Sequence, residues 1–211
     1  MTTPADGRID AAPEPAPAPA STGAVSNWNA ANLLTMLRIV LVPLFVLVFV
    51  HDGGHDTAWR LAAAGVFFAA SATDRLDGEV ARRRHLITDF GKIADPIADK
   101  ALIGAALICL SVRGELWWWV TIAILVREIG ITLMRFWVIR YGVIAASPGG
   151  KLKTVLQSFA IFLYVLPLES QAWLEWTATV VMAAALALTV GTGADYVVRA
   201  VRLRAGAGER H

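Results

Sequence analysis

Residues 73–82 read Thr73-Asp74-Arg75-Leu76-Asp77-Gly78-Glu79-Val80-Ala81-Arg82, and residues 89–100 read Asp89-Phe90-Gly91-Lys92-Ile93-Ala94-Asp95-Pro96-Ile97-Ala98-Asp99-Lys100. On a helix Asp74, Asp77, Gly78 and Ala81 fall at i, i+3, i+4 and i+7. Two carboxylates therefore share one stripe with two residues small enough to admit a ligand. Gly91, Asp95 and Asp99 repeat the device at i, i+4 and i+8 on the next helix, and the connection between the two is short. Apolar runs bracket this acidic stretch, Leu61 to Ala70 before it and Ala101 to Leu110 after it.

The rest of the chain explains those runs. Its 211 residues are 56% hydrophobic and only 17% charged, with a mean hydropathy of +0.56. Such a chain is too apolar for a soluble domain, so most of it must sit in lipid. Nineteen basic against seventeen acidic residues leave a formal charge of +2, too small a field to hold a nucleic-acid backbone, which excludes nucleic acid as a partner. The single cysteine, Cys109, can form no internal disulfide or thiolate cluster and reads as a packed thiol in an apolar run.

Six apolar segments follow one another: Ala31 to Val50, Thr57 to Arg82, Lys92 to Val112, Leu116 to Tyr141, Lys153 to Pro167 and Trp173 to Arg199. A bilayer core takes about 20 apolar residues per helix, and the polar links are short, so the pattern predicts an all-α bundle of six antiparallel transmembrane helices. The alternation of a membrane β-barrel is missing. Residues 1–26 are rich in proline and alanine and read as a disordered cytoplasmic tail and not a secretory signal. The membrane domain covers 27–204, and 205–211 form a short C-terminal tail.

Basic residues cluster at every second connection: Arg82, Arg83, Arg84 and Lys92; then Arg140, Lys151 and Lys153; then Arg199, Arg202, Arg204 and Arg210. The opposite side carries Arg60 and Arg113. The positive-inside rule then places both termini in the cytoplasm, with Trp117, Trp118 and Trp119 in an interfacial belt on the far side. The outer helix halves are apolar, whereas the cytoplasmic halves hold Arg38, Asp74, Asp77, Asp95, Asp99, Arg127, Glu128 and Arg135. A charge at a helix centre costs about 3 kcal/mol even on lenient insertion scales, so these groups should line a polar cavity open to the cytoplasmic leaflet.

Four carboxylates in a low-dielectric cavity raise one another's pKa unless cations neutralise them. Oxygen ligands without nearby histidine or thiolate favour Mg2+ or Mn2+, and two such ions can hold both oxygens flanking a phosphorus.

The pattern D-x2-D-G-x2-A-R-x8-G-x3-D-x3-D is filled by Asp74, Asp77, Gly78, Ala81, Arg82, Gly91, Asp95 and Asp99. It resembles the signature of the CDP-alcohol phosphotransferases, and the resemblance extends over roughly 27–204. It implies transfer of a phosphatidyl group from CDP-diacylglycerol to an alcohol with release of CMP, in a homodimer of the cell membrane. By the same resemblance Asp74, Asp77, Asp95 and Asp99 bind metal and Asp99 is the general base. Gly78 and Arg82 hold the cytidine nucleotide together with Asn32, Thr35 and Arg38 of helix one.

Residues 127–135 and 146–157 resemble the helix-four and helix-five stretches of the phosphatidylglycerophosphate synthase branch. Arg127 in mid-helix wants an anionic partner, and Lys151 and Lys153 flank a Gly-Gly turn at a helix start, where free N–H groups also attract phosphate. These three are the candidate ligands of an acceptor phosphate, and glycerol 3-phosphate is the preferred acceptor. Other acceptors in the family are phosphatidylglycerol (in cardiolipin synthases), inositol phosphate and serine. An ion-coupled transporter is the reading from a different class.

Plainer roles compete at several positions. Arg127 can pair with Glu128 or a neighbouring helix, and Lys151 and Lys153 can serve topology or anionic lipid. His51, Asp52, His55 and Asp56 read as a solvated outer link. Asp195 and Arg199 read as a surface pair at i, i+4, and Gly191 and Gly193 as helix-packing residues.

Overall fold

The computed structural model describes the backbone of residues 30–84, 89–138, 148–167 and 171–208, and side chains within 33–73, 97–134, 152–167 and 171–202. The expected disordered tail lies outside the described residues, as do the side chains of Asn32, Asp74, Asp77, Gly78, Arg82, Asp95 and Lys151.

Six helices account for nearly all of the described chain: α1 Ala30–Val50, α2 Thr57–Arg84, α3 Asp89–Val112, α4 Trp118–Val138, α5 Pro148–Val165 and α6 Ala172–Gly208. A single 3-10 turn, His51–Gly54, joins α1 to α2, and no strand occurs among the described residues. Two boundaries differ usefully from the apolar segments. Helix α5 starts at Pro148, where proline's missing N–H would be unpaired in any helix. Helix α6 runs on past Arg199, since Ala200-Val201-Arg202-Leu203-Arg204 contains no breaker.

Helix α3 is the hub and touches α1, α2, α4 and α5, while α5 and α6 pack closely and α4 lies against α3 and α6. The core joins Phe45 and Phe49 of α1, Phe67 of α2, Leu107 and Leu110 of α3, Ile124 of α4 and Ile161 and Val165 of α5. Cys109 is buried here. The opposite faces are apolar too: Leu33, Leu37, Val40, Leu44 and Leu47 of α1 all project outward, a surface that water would not tolerate at this extent. Leu33–Gly54 and Ala172–Arg202, with mean hydropathies of 2.7 and 1.6, are long and apolar enough to cross a membrane.

One end of the bundle is tied by an arginine clasp. Arg60 of α2, only 5% exposed, donates to both carboxylate oxygens of Glu115 at 2.5 and 2.9 Å. It also donates to the carbonyls of Tyr164, Val165 and Leu166, which the end of α5 leaves without helical partners. Its guanidinium stacks over Phe49. Arg113 reaches the same Glu115 at 2.6 Å and the carbonyl of Gly53. The turn before α2 fits underneath because Gly54 has φ +74° and no side chain: a Cβ would stand 2.9 Å from the Phe49 carbonyl oxygen. The clasp puts the end of α1, the start of α2, the end of α3 and the end of α5 on one side, so consecutive helices run antiparallel. Six exposed tryptophans, Trp59, Trp117, Trp118, Trp119, Trp173 and Trp176, ring this same end. His51, Asp52, His55 and Asp56 are solvated there.

Candidate active site

The acidic stretch lies at the other end, in the last turns of α2 and the first turns of α3. Asp77 stands seven residues before Arg84, the end of α2, and Asp95 six residues after Asp89, the start of α3. At about 1.5 Å per residue each is about 10 Å from its helix end, and Asp74 and Asp99 are each about 15 Å in. The backbone therefore carries the four aspartates as two matched levels on antiparallel neighbours. Asp99 is half-buried, beside the fully buried Ala98. As a donor set the four suit a hard divalent cation: each supplies carboxylate oxygen, and Gly78, Ala81 and Gly91 leave space on the stripes. Among the described residues no group of three acidic, histidine or cysteine side chains is placed to hold a metal ion.

Helix α1 contributes Thr35 and Arg38, both buried on its inward face near the same end. A guanidinium taken wholly out of water needs anionic or carbonyl company.

The third wall comes from α4, α5 and α6. Arg127 Nε donates to the Thr189 carbonyl at 3.1 Å, and its Nη2 donates to Thr192 Oγ1 at 3.0 Å. Thr192 can accept because its own proton goes to the Leu188 carbonyl at 2.6 Å. Gly193 makes room for this arginine: a Cβ there would sit 3.1 Å from Arg127 Cγ. Of the two glycines read as packing residues, only Gly193 has that role, since Gly191 faces open space. Arg127 also approaches Glu128 at 3.4 Å, and Glu128 accepts a hydrogen bond from Lys153 Nζ of α5. Lys153 is 4% exposed, and the charges of Arg127 and Lys100 act on it. Among the described residues α4 and α5 do not pack directly, so the Glu128–Lys153 pair spans the space between them.

The opposite face of α5 shapes an apolar groove against α2. About 490 Å³ in volume, it is lined by Phe67, Phe68, Ser71, Ala72, Phe159 and Phe162 among others; Ala72 stands two residues before Asp74. Sequence reasoning placed Arg127 and Lys153 at this end and allowed Arg127 to pair with Glu128 or a neighbouring helix, and it does both. The Glu128–Lys153 pair and the identities of Thr189 and Thr192 carried no motif, and Asp195 with Arg199, at 2.9 Å, is the surface pair that its spacing predicted.

The profile of the CDP-alcohol phosphatidyltransferase family matches residues 28–191. A protein of Mycobacterium tuberculosis (strain ATCC 25618 / H37Rv) named probable phosphatidylglycerophosphate synthase is 56% identical over 174 residues, 82% of each chain. The CDP-diacylglycerol–glycerol-3-phosphate 3-phosphatidyltransferase of Escherichia coli (strain K12) is 37% identical over 156 residues, 71% of this chain and 78% of the relative. With its signature aspartates set at matching depth on α2 and α3, this chain belongs to the CDP-alcohol phosphatidyltransferase family.

Proposed function

We propose that the protein transfers the phosphatidyl group of CDP-diacylglycerol to glycerol 3-phosphate, forming phosphatidylglycerophosphate and CMP. The observation that carries the reading is the matched placement of Asp74, Asp77, Asp95 and Asp99, with the two synthase relatives supplying the acceptor. The chain works as a six-span, N-in and C-in homodimer in the plasma membrane, its site opening to the cytoplasmic leaflet. The clasp and tryptophan ring at the far end, opposite the basic connections, support that orientation.

Asp74, Asp77, Asp95 and Asp99 would hold two Mg2+ or Mn2+ ions, whose charge would neutralise the carboxylates and the reacting phosphate. Asp99 accepts the proton of the acceptor hydroxyl, whose oxygen then bonds to the phosphorus bearing diacylglycerol as the bond to CMP breaks. None of the signature residues is a serine, cysteine or histidine, and the family resemblance implies a direct displacement. Gly78, by close backbone approach, and Arg82, by charge, hold the nucleotide with Asn32, Thr35 and Arg38. Arg127, Lys151 and Lys153 provide the cationic side for the acceptor phosphate. Arg127 is steadied by α6, so its role is the fixed field of a held charge. One acyl chain of the donor lies in the apolar groove between α2 and α5, whose α2 lining includes Ala72, two residues before Asp74.

Purified protein supplied with labelled CDP-diacylglycerol and, separately, glycerol 3-phosphate, phosphatidylglycerol, inositol phosphate and serine tests the proposal. Product and CMP should form with glycerol 3-phosphate; turnover with another acceptor only would refute it.

A further inference from the structure

Gln157 lies one turn beyond Lys153 on α5, on the inward face shared with Ala160 and Ile161. It is 3% exposed, and its Oε1 has no hydrogen-bond partner among the described residues. Buried polar atoms in folded proteins nearly always have a partner. A glutamine retained only for packing would have its carbonyl answered by a neighbour, so an unanswered one implies a donor that arrives from outside.

The position defines what that donor is. Lys153 and Gln157 are four residues apart, which separates their Cα atoms along the axis by about 6 Å. That is the scale of a small polyol phosphate, with a charged group at one end and an uncharged hydroxyl at the other. Lys153 matches the charge. Gln157 is neutral and matches the hydroxyl, which donates to Oε1. Among the described residues α4 and α5 do not pack directly, and the Glu128–Lys153 pair links them across that separation. Glu128 occupies on Lys153 the place of an acceptor's phosphate oxygens. The other face of α5 belongs to the apolar groove, through Val155, Ser158, Phe159 and Phe162, and Gln157 is not among its lining residues.

We propose that Gln157 is the specificity-determining residue for the acceptor, receiving a hydrogen bond from its non-reacting hydroxyl while Lys153 holds its phosphate. The inference rests on the proposed use of glycerol 3-phosphate. In that acceptor the hydroxyl concerned is the central one, since a terminal hydroxyl attacks phosphorus.

The test compares glycerol 3-phosphate with 3-hydroxypropyl phosphate, which lacks only the central hydroxyl, in the wild-type protein and in Gln157→Leu. The wild type should prefer glycerol 3-phosphate in kcat/KM by about ten- to a hundredfold, because the analogue leaves a buried carbonyl unpaired. Gln157→Leu should reduce that preference to within about threefold, chiefly through a higher KM for glycerol 3-phosphate. Damage to packing alone would depress both substrates equally and leave the ratio intact. Gln157→Met, equal in length, carries the same comparison if the leucine variant does not fold. A wild-type ratio near one, or a folded variant that keeps the wild-type ratio, overturns the assignment. A wild type that makes no product with glycerol 3-phosphate overturns the proposed activity instead, so the two failures are distinct.

Discussion

Removing Glu128 should expose how strongly the polar wall depends on one carboxylate. Lys153 is 4% exposed and its ammonium has Glu128 as counterion, with Arg127 and Lys100 adding like charge nearby. Breaking a buried pair from one side costs about 3–5 kcal/mol, mostly the cost of a charge left without a partner. The Glu128 side chain is itself 18% exposed, and water entering the vacated space brings the expected loss to the lower bound, about 3 kcal/mol. For a chain of this size Tm falls by about 2–4 °C per kcal/mol, so Glu128→Ala should unfold about 6–12 °C below the wild type. Lys153→Met in the same background removes the stranded charge and should recover most of that loss, giving a coupling energy of about 2–3 kcal/mol between the two sites. The chain offers its own probe: Cys109 is its only cysteine and is buried, so a thiol-reactive fluorogenic dye reports unfolding in detergent. Activity should stay low in the double variant, which regains stability without the lysine. A melting point within about 2 °C of the wild type for Glu128→Ala, or strictly additive effects, would refute a buried, mutually dependent pair.

Three further outcomes follow from other parts of the bundle. Arg60→Lys keeps the charge but cannot serve Glu115 and three carbonyls together; thermal unfolding should show a loss of about 2–3 kcal/mol, while the KM for glycerol 3-phosphate stays unchanged. Gly193→Val forces Arg127 away from Thr189 and Thr192; overpacking should cost about 1–3 kcal/mol, and steady-state kinetics should show a several-fold rise in acceptor KM. Asp99→Asn should abolish CMP release while the dye-monitored melting curve stays cooperative, and substantial residual turnover would contradict its role as base.

Much of this architecture could be read before any coordinates. The apolar runs locate all six helices, because each run is broken by a short polar link that no buried or lipid-facing helix could carry in its middle. Local spacing was equally reliable for the Asp195–Arg199 pair, which depends only on helical periodicity. The long-range partners were not legible. Arg60 and Arg113 read as sparse outer-side charges, yet Glu115 lies 55 residues from Arg60 and the carbonyls at the end of α5 lie about 105 residues away. Arg127 reaches residues 62 and 65 positions on. No periodicity relates such positions, because a backbone carbonyl can be supplied by any residue type and leaves no mark in composition. Gln157 was equally silent, a single amide in an apolar run whose meaning appears only once its carbonyl is found buried without a donor.

The central claim is that α2 and α3 pool four carboxylates on divalent cations. Electron paramagnetic resonance titration of the purified protein with Mn2+ tests it most directly, since free and bound Mn2+ give distinct signals. Wild-type protein should bind Mn2+, Asp74→Asn, Asp77→Asn, Asp95→Asn and Asp99→Asn should each weaken that binding, and Asp195→Asn should leave it unaltered. Undiminished Mn2+ binding in all four motif variants would contradict the account.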